Sequence, residues 1–296
     1  MRIGIDLGGT KIEGIAIEGN RELLRRRVLS PRGDYPATMT AVRDLVGQLE
    51  TELGMTGTVG VGIPGAISGV TGLVKNANST WLIGHPIDRD LERALERPVR
   101  VSNDANCFAL SEATDGAGAG ANTVFGVILG TGTGGGVVVN GRVLEGRHRI
   151  AGEWGHNPLP WPQNGERPGP PCYCGQTGCI ETFLSGPGLS ATYRALAGRD
   201  ANAAEIAALA ASGDAHASHA LEMYESRLAR ALASIINVLD PDVIVLGGGV
   251  SNIARLYEHV PKLLKPFVFS DSADTPIVPA RHGDSSGVRG AAWLWP

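Results

Sequence analysis

The sequences IGIDLGGTKIEGIAI at residues 3–17 and FGVILGTGTGGGVVV at residues 125–139 decide how this chain of 296 residues is built. Aligned without gaps at an offset of 122 residues (125 − 3), they share alternating apolar positions and several glycines. The coinciding glycines are Gly4 with Gly126, Gly8 with Gly130, and Gly14 with Gly136. Alternating apolar residues on both sides of a Gly/Thr turn predict a β-hairpin in each copy. Two unrelated glycine-rich hairpins are the alternative, but the matched alternation favours an internal duplication.

The composition is that of a globular protein, with 43% hydrophobic and 19% charged residues. At about 150 residues per domain, the length predicts two domains. Glycine occurs 42 times, about twice its usual share, so the backbone is expected to approach other groups closely at several places. The net charge of −4 disfavours a nucleic-acid binder, because such proteins carry an excess of positive charge.

The sequence contains no signal for a membrane or for secretion. No apolar run approaches the roughly 18 residues of a membrane span, and the acid at position 6 interrupts any apolar signal segment. Four cysteines are too few for a disulfide scaffold. We therefore expect a soluble, cytoplasmic protein with no membrane partner.

Between and after the two copies, the pattern alternates between strands and helices, which predicts α/β layers. The expected elements are a helix over 39–53 that stops at Gly54, a strand over 58–63, a short helix capped by Asp88, a strand over 99–104, a helix over 105–115, a glycine-rich joint over 116–122, a helix over 215–239 and a strand over 243–249. The run Arg25–Arg27 is interpreted as a solvated sheet edge, where charge blocks edge pairing, and not as a nucleic-acid patch.

Three glycine turns follow predicted strands. The first contains Asp6, Gly8, Gly9, Thr10 and Lys11, its counterpart in the second copy contains Gly130, Thr131, Gly132 and Thr133, and the third contains Gly247, Gly248 and Gly249. Bare backbone N–H groups in such turns bind anions, although none of the three is a Walker A loop. Each turn alone is equally consistent with a simple hairpin. Together, the first two turns predict a binding site for a polyphosphate, and the third predicts a contact with a flat ligand.

A cluster of metal-binding side chains is the strongest local signal. His156, Cys172, Cys174 and Cys179 supply four ligands of the kind that a closed tetrahedral zinc site needs. Three buried free thiols are the alternative, which three cysteines in eight residues disfavour. Because four protein ligands leave no open position for water, the zinc is expected to be structural. Cys107 lies apart on a predicted helix and is interpreted as a buried apolar thiol.

Polar residues surround this loop and the end of one strand. Asn103 and Asp104 follow a predicted strand, at the edge where α/β sheets place their active sites. Glu153 and Glu181 flank the metal loop. These groups predict a site with several acceptors for a polyhydroxylated ligand, although each acid alone is more often a surface carboxylate.

Taken together, these motifs resemble a known family. The repeated hairpins resemble the actin–hexokinase superfamily, and GIPG (62–65), NDAN (103–106), GEWGH (152–156) and CYCGQTGCIE (172–181) resemble the ROK family of bacterial sugar kinases and repressors. The resemblance runs from end to end. It implies an α/β fold of two duplicated actin-like ATPase domains with a cleft between them. Residues 1–117 would form the first domain, with a helix over 284–296 packed back onto it, and residues 118–283 the second, with the zinc loop 153–181.

The resemblance also implies roles for individual residues. Asp104 matches the general base that acts on the sugar hydroxyl, and Asp6 matches the acid associated with Mg²⁺. The residues that match sugar contacts are Asn103, Glu153, His156 and Glu181, with Asn78 as an addition. The first two glycine turns match contacts to the phosphates of ATP, and Gly247–Gly249 match the adenosine turn. His156 would use one ring nitrogen for zinc and the other for sugar. The family implies a homodimer.

The implied function is an ATP- and Mg²⁺-dependent hexose kinase. NANSTWL (76–82), GHNPLPW (155–161) and HGDSSGVRGAAWLWP (282–296) resemble the fructokinase/mannokinase branch, so fructose, and then mannose, phosphorylated at O6 is the first expectation. Glucokinase and N-acetylglucosamine kinase are the alternatives, and the sequence locates no recess for an acetamido group. A sugar-sensing repressor is disfavoured because the first strand starts at residue 2, ahead of which no helix-turn-helix fits. A catalytically inactive sugar-binding module is disfavoured because Asp6 and Asp104 are both intact.

Overall fold

The computed structural model describes residues 1–283 and 286–296. The strands are β1 (Arg2–Leu7), β2 (Lys11–Glu18), β3 (Arg21–Leu29), β4 (Thr58–Ile63), β5 (Ala66–Ile67), β6 (Val74–Lys75), β7 (Val99–Asn103), β8 (Thr123–Leu129), β9 (Thr133–Val139), β10 (Arg142–Val143), β11 (Val243–Gly247) and β12 (Ile277–Pro279). The α-helices are α1 (Tyr35–Leu53), α2 (Ile87–Leu95), α3 (Asp104–Thr114), α4 (Ile180–Leu184), α5 (Gly186–Ala197), α6 (Ala203–Ala211), α7 (Ala215–Leu239), α8 (Leu256–Leu263) and α9 (Ser286–Ala292). None of these described helices is long and apolar enough to cross a membrane.

The chain divides into two compact units. Unit 1 comprises Met1–Gly120, Gly136–Ala151 and Asp284–Pro296, and unit 2 comprises Ala121–Gly135 and Gly152–Gly283. Residues 136–151 thus group with unit 1, whereas the sequence places them in the second domain. The domain boundary at 117/118 stays a prediction. The first two positions of the helix expected over 284–296, Asp284 and Ser285, lie outside the described residues, and α9 follows them.

Unit 1 contains a five-stranded sheet in the order β3-β2-β1-β4-β7. Strands β1, β4 and β7 run parallel, with Asp6 opposite Gly62 and Gly62 opposite Ser102. Since the carboxyl ends of parallel strands meet at one edge of a sheet, the ends of β1 and β7 lie at the same edge. This edge carries Asp6, Asn103 and Asp104.

Helices cover this sheet as the apolar spacing predicts. Helix α1 begins after Asp34, whose side chain accepts a hydrogen bond from the Ala37 N–H, and ends at Gly54 in the left-handed conformation (φ 63°). The expected cap at Asp88 is wrong, because the cap position is Pro86, two residues earlier, and Asp88 lies in the first turn of α2. At that position its negative charge interacts favourably with the helix dipole, although its side chain does not cap a backbone N–H.

The arginine run lies on β3 at the sheet edge, as predicted, and it also has a structural role. Arg25 and Arg27 both form ion pairs with Glu13 on β2, whose side chain is only 2% exposed. Arg26 pairs with Glu52 on α1. The run therefore neutralises a buried carboxylate as well as charging the edge.

The second five-stranded sheet has the order β10-β9-β8-β11-β12. Its strands β8 (Thr123–Leu129) and β9 (Thr133–Val139) occupy the repeat positions that correspond to β1 and β2. The long helix α7 has the predicted bounds, with Asp214 capping its first turn. The duplicated α/β arrangement predicted from the two hairpins is confirmed.

Candidate active site

Two acidic side chains share the carboxyl edge of the unit 1 sheet. Burial raises the pKa of Asp6 to about 7, and the negative charge of Asp104 adds to the effect. The same two carboxylates, together with complete burial, raise the pKa of the Cys107 thiol. Cys107 is thus the buried, protonated thiol that the sequence predicts. A pair of neighbouring carboxylates is suited to bind a cation, because oxygen ligands of this kind are what Mg²⁺ prefers.

Asn103 holds Asp104 in place through the start of α3. Its side-chain oxygen accepts hydrogen bonds from the N–H groups of Ala105 (2.9 Å) and Asn106 (3.3 Å). Its amide nitrogen donates to the Gly65 carbonyl at 2.9 Å. Asn103 is therefore the N-cap of α3 and also ties this helix to the loop after β4. A sugar contact at Asn103 stays a prediction. Because these three bonds already use the side-chain oxygen and one amide hydrogen, the contact would use the second amide hydrogen.

The first glycine turn connects β1 to β2. The Gly8 N–H donates to the Lys11 carbonyl at 3.0 Å, and a Cβ atom on Gly8 would lie 2.9 Å from that oxygen. Thr10 and Lys11 are exposed. Arg32, which the sequence analysis missed, donates from Nε to the Gly9 carbonyl at 2.9 Å. Arg32 lies 23 residues after Gly9 in the sequence, so no local motif connects it to the glycine turn.

The second glycine turn is tied to Glu181. The Thr133 N–H donates to Glu181 Oε2 at 2.8 Å, and a Cβ atom on Gly132 would lie 2.6 Å from that oxygen. Thr133 is buried, whereas Thr131 is exposed, and Gly130 is joined to α5 by the bond from the Gly186 N–H. Glu181 thus supports the turn, in addition to the sugar contact predicted for it.

The third glycine turn follows β11. Gly248 has a φ of 84°, and a Cβ atom there would lie 2.5 Å from the Leu129 carbonyl. Around Gly249 there is open space, with no neighbouring atom within 4 Å of an added Cβ. The turn therefore presents bare backbone, which is what the predicted adenosine contact of Gly247–Gly249 requires.

The segment that carries Glu153 and His156 is pinned against the start of β9. The buried Trp154 donates from its indole N–H to the Gly134 carbonyl at 3.0 Å. A Cβ atom on Gly155 would lie only 2.0 Å from the Thr133 carbonyl, so the two backbones touch. This contact fixes the backbone positions of the flanking residues Glu153 and His156.

The four predicted metal ligands come together. Their ligand atoms, from His156, Cys172, Cys174 and Cys179, all lie within 4.8 Å of one another. Sγ of Cys174 is 3.6 Å from Sγ of Cys179, and Sγ of Cys172 is 3.6 Å from Nδ1 of His156. Zn–S bonds of about 2.3 Å in a tetrahedron separate sulfur atoms by roughly 3.8 Å. The donor set and its spacing therefore fit Zn²⁺.

Tyr173 is a second residue that the sequence analysis missed, although it lies between two of the cysteines. Its hydroxyl is 3.0 Å from Nε2 of His156, the ring nitrogen that faces away from Cys172. The Tyr173 residue is 79% exposed, but partial desolvation of its hydroxyl, together with the nearby charges of Glu181 and Glu153, raises its pKa to about 12. Unit 2 therefore groups Glu153, His156, Glu181 and Tyr173. In unit 1, Asn78 is exposed, and its side-chain oxygen lies 3.5 Å from the hydroxyl of Ser79.

Comparison with known proteins assigns the chain to a family. The ROK family model matches residues 2–296. An N-acetyl-D-glucosamine kinase of Yersinia pseudotuberculosis is 42% identical over 299 aligned residues, covering 99% of this chain and 98% of the relative. The crystal structure of a ROK hexokinase from Thermus thermophilus is similar with a TM-score of 0.88 and 33% identity, covering 99% of this chain and 96% of that chain.

A ROK glucokinase from Streptomyces griseus, solved with glucose and AMPPNP, is similar with a TM-score of 0.80 and 26% identity, covering 99% of this chain and 98% of that chain. These similarities extend over the whole length of the chain and confirm the resemblance drawn from its motifs. The chain belongs to the ROK family and is similar throughout to that family's sugar kinases.

Proposed function

We propose that the protein is an ATP-dependent sugar kinase that phosphorylates N-acetylglucosamine at O6. The observation that carries this proposal is the 42% identity, over 99% of the chain, to an N-acetyl-D-glucosamine kinase. The two ROK structures, a hexokinase and a glucokinase, are less similar, at 33% and 26% identity. Glucose is therefore the second candidate substrate.

Fructose, the first expectation from the sequence, is not supported by these relatives, none of which is a fructokinase. The motifs that suggested it, NANSTWL, GHNPLPW and HGDSSGVRGAAWLWP, include only a few residues that would touch a sugar. A few side chains around one ring position decide between hexoses, while the rest of the fold is unchanged. The resemblance of these motifs to the fructokinase/mannokinase branch therefore does not identify the sugar.

In the proposed reaction, Asp104 accepts the proton of the 6-hydroxyl as the hydroxyl attacks the γ-phosphate of ATP. Asp104 is the first residue of α3, and its carboxylate oxygen is a group that can accept a proton from a hydroxyl. Its Oδ1 accepts a hydrogen bond from the Ala105 N–H at 2.8 Å, which fixes the orientation of the carboxylate. Asn103 positions Asp104 by capping the same helix.

Asp6 would hold Mg²⁺, whose charge offsets the negative charge that develops on the transferred phosphoryl group. Burial and the charge of Asp104 raise the pKa of Asp6 to about 7, and a cation bound between the two carboxylates would offset both effects. The backbone of the first two glycine turns would bind the phosphates, and the exposed Lys11 would add a positive charge. The turn at Gly247–Gly249 would take the adenosine.

A structural Zn²⁺ at His156, Cys172, Cys174 and Cys179 would shape the sugar side of the site. The same loop carries Tyr173, and Glu153 and Glu181 lie just outside the ligand cluster. With the zinc in place, these groups would keep a fixed arrangement around the sugar hydroxyls. The expected homodimer stays a prediction.

The proposal is tested by ADP release measured side by side with N-acetylglucosamine, glucose, mannose and fructose at matched concentrations. We expect kcat/KM to be highest for N-acetylglucosamine. A higher kcat/KM for glucose would favour the second candidate, and the absence of ADP release with all four sugars would refute the sugar kinase itself.

A further inference from the structure

Tyr173 is a large aromatic residue on the surface of the expected zinc loop. It is 79% exposed and lies between two of the expected metal ligands, Cys172 and Cys174. The Gly175 N–H donates to the Cys172 carbonyl at 3.0 Å, and the Cys172 N–H donates to the Gln176 carbonyl at 2.8 Å. These bonds close a tight turn around Tyr173. Its backbone is therefore fixed, and only its side-chain torsions remain to be ordered when a ligand binds.

His156 holds the side chain of Tyr173. Nε2 of His156 lies 3.0 Å from the Tyr173 hydroxyl. The two rings meet edge to face, with centroids 5.1 Å apart and planes at 89°, an arrangement that aromatic rings favour. Nδ1 of His156 lies in the ligand cluster, 3.6 Å from Sγ of Cys172. Each ring nitrogen of His156 thus has its own partner, the expected zinc for Nδ1 and Tyr173 for Nε2.

The donor set of the zinc site decides the direction of the bond between His156 and Tyr173. A neutral imidazole that binds a metal through Nδ1 carries its proton on Nε2. The Nε2–H of His156 would then donate to the Tyr173 oxygen, so the phenol hydrogen stays available as a donor. Within residues 1–283 and 286–296, His156 is the one hydrogen-bond partner of this hydroxyl. The exposed Tyr173 hydroxyl therefore offers its hydrogen to a ligand.

A hydrogen-bond donor at this place complements the acidic groups around it. The charges of Glu181 and Glu153 act on the Tyr173 hydroxyl, and carboxylates only accept hydrogen bonds. A sugar hydroxyl both donates and accepts, so a site for it needs a donor beside the carboxylates. Tyr173 supplies that donor, whereas the one N–H of a zinc-bound His156 is already directed at Tyr173.

We propose that Tyr173 binds the sugar through its hydroxyl and that His156 positions Tyr173 instead of contacting the sugar itself. The inference rests on the proposed function and deepens it, because it names a further sugar contact of that site. It also changes the role that the family resemblance implies for His156, whose second ring nitrogen would meet the sugar. The ligand is a polyhydroxylated sugar with an oxygen that accepts the phenol hydrogen.

Calorimetric binding of N-acetylglucosamine and of glucose, without nucleotide, tests this contact in the wild type and in Tyr173→Phe, each loaded with Zn²⁺. Phenylalanine keeps the ring and removes only the hydroxyl. We expect Kd for the better-bound sugar to rise about tenfold, and KM for that sugar to rise with it, while KM for ATP stays unchanged. Tyr193→Phe is the matched control and should leave the sugar Kd unchanged. Tyr193 is completely buried on α5, and its hydroxyl also accepts a hydrogen bond, from Arg199 Nε at 2.9 Å.

Metal analysis of the same samples separates a sugar contact from a role in holding the metal. A rise in Kd that disappears once the variant contains one zinc per chain would overturn the proposal, because Tyr173 would then serve only the metal site. An unchanged Kd in the zinc-loaded variant would overturn it as well. A lower Kd would also do so, since it would show that Tyr173 covers a nitrogen of His156 that itself binds the sugar.

The proposed function and the contact at Tyr173 fail separately, because calorimetric binding does not depend on turnover. Failure of the wild type to phosphorylate either sugar would refute the proposed function. Phosphorylation by the wild type, with the same sugar Kd and KM in Tyr173→Phe, would refute only the contact at Tyr173.

Discussion

Replacing Glu166 with glutamine is expected to weaken unit 2 in a pH-dependent manner. Glu166 is 6% exposed and accepts hydrogen bonds from Arg227 (2.8 Å) and from Arg230 (2.9 Å to each oxygen). The Gln163 N–H is a further donor at 2.7 Å. Burial alone raises the pKa of Glu166, but the bonds from the two arginines lower it to about 2. The variant would leave two buried guanidinium groups without a counter-charge.

The magnitude follows from the pKa shift. A decrease from 4.5 to about 2 corresponds to about 3 kcal/mol at 1.36 kcal/mol per unit. This agrees with the roughly 3–5 kcal/mol lost when one partner of a buried ion pair is removed. Because the folded-state pKa is lowered, this stabilisation is complete above pH 4.5 and decreases as the pH falls from 4.5 towards 2. The loss in Glu166→Gln should therefore be about 3 kcal/mol at pH 7 and clearly smaller at pH 3.

Urea unfolding at pH 7, 4 and 3 measures this difference. Glu222→Gln is the control, because Glu222 lies on α7 with a 63% exposed side chain, where a substitution changes the free energy of unfolding by less than about 0.5 kcal/mol. A loss below about 1 kcal/mol in Glu166→Gln at pH 7, or an equal loss at pH 7 and pH 3, would show that the charge of Glu166 does not stabilise unit 2.

Three further predictions concern the metal, the helix packing and the nucleotide. Cys174→Ala should lose bound zinc and raise KM for the sugar, and metal analysis of the wild type without one zinc per chain would contradict the site. Gly290→Ala should destabilise the protein by several kcal/mol, because its Cβ would lie 1.6 Å from the Cys107 carbonyl oxygen. The control Gly47→Ala, in open space on α1, should be neutral or stabilising by up to about 1 kcal/mol. Equal thermal stability of the two variants would contradict this packing. Asp6→Ala should impair use of Mg·ATP and leave sugar binding without nucleotide intact in calorimetry, whereas a loss of sugar affinity alone would contradict the assignment of Asp6.

The spacing of apolar residues predicts the bounds of helices and strands well where the packing of one apolar face decides those bounds. The bounds of α7 and β4 follow from their apolar patterns, and Gly54 ends α1 because only a residue without Cβ adopts its left-handed conformation readily. Asp88 shows the limit, because a cap depends on which residue leaves the helical conformation first. The sequence pattern does not contain that information.

The candidate site shows the same division. The three cysteines and His156 are local enough in sequence to predict the cluster. Arg32 and Tyr173 have no distinctive sequence pattern, because their significance comes from contacts that form only in the fold. The choice between hexoses depends on a few side-chain contacts in the fold, so the sequence motifs do not determine which sugar binds.

In the proposed N-acetylglucosamine kinase reaction, Asp104 removes the proton of the sugar hydroxyl. The most direct test is the rate of ADP release with N-acetylglucosamine by the wild type and by Asp104→Asn, combined with calorimetric binding of the sugar. We expect formation of the 6-phosphate by the wild type and a loss of about 10²–10⁴-fold in kcat for the variant, with sugar affinity nearly unchanged. Near wild-type turnover by Asp104→Asn would contradict it.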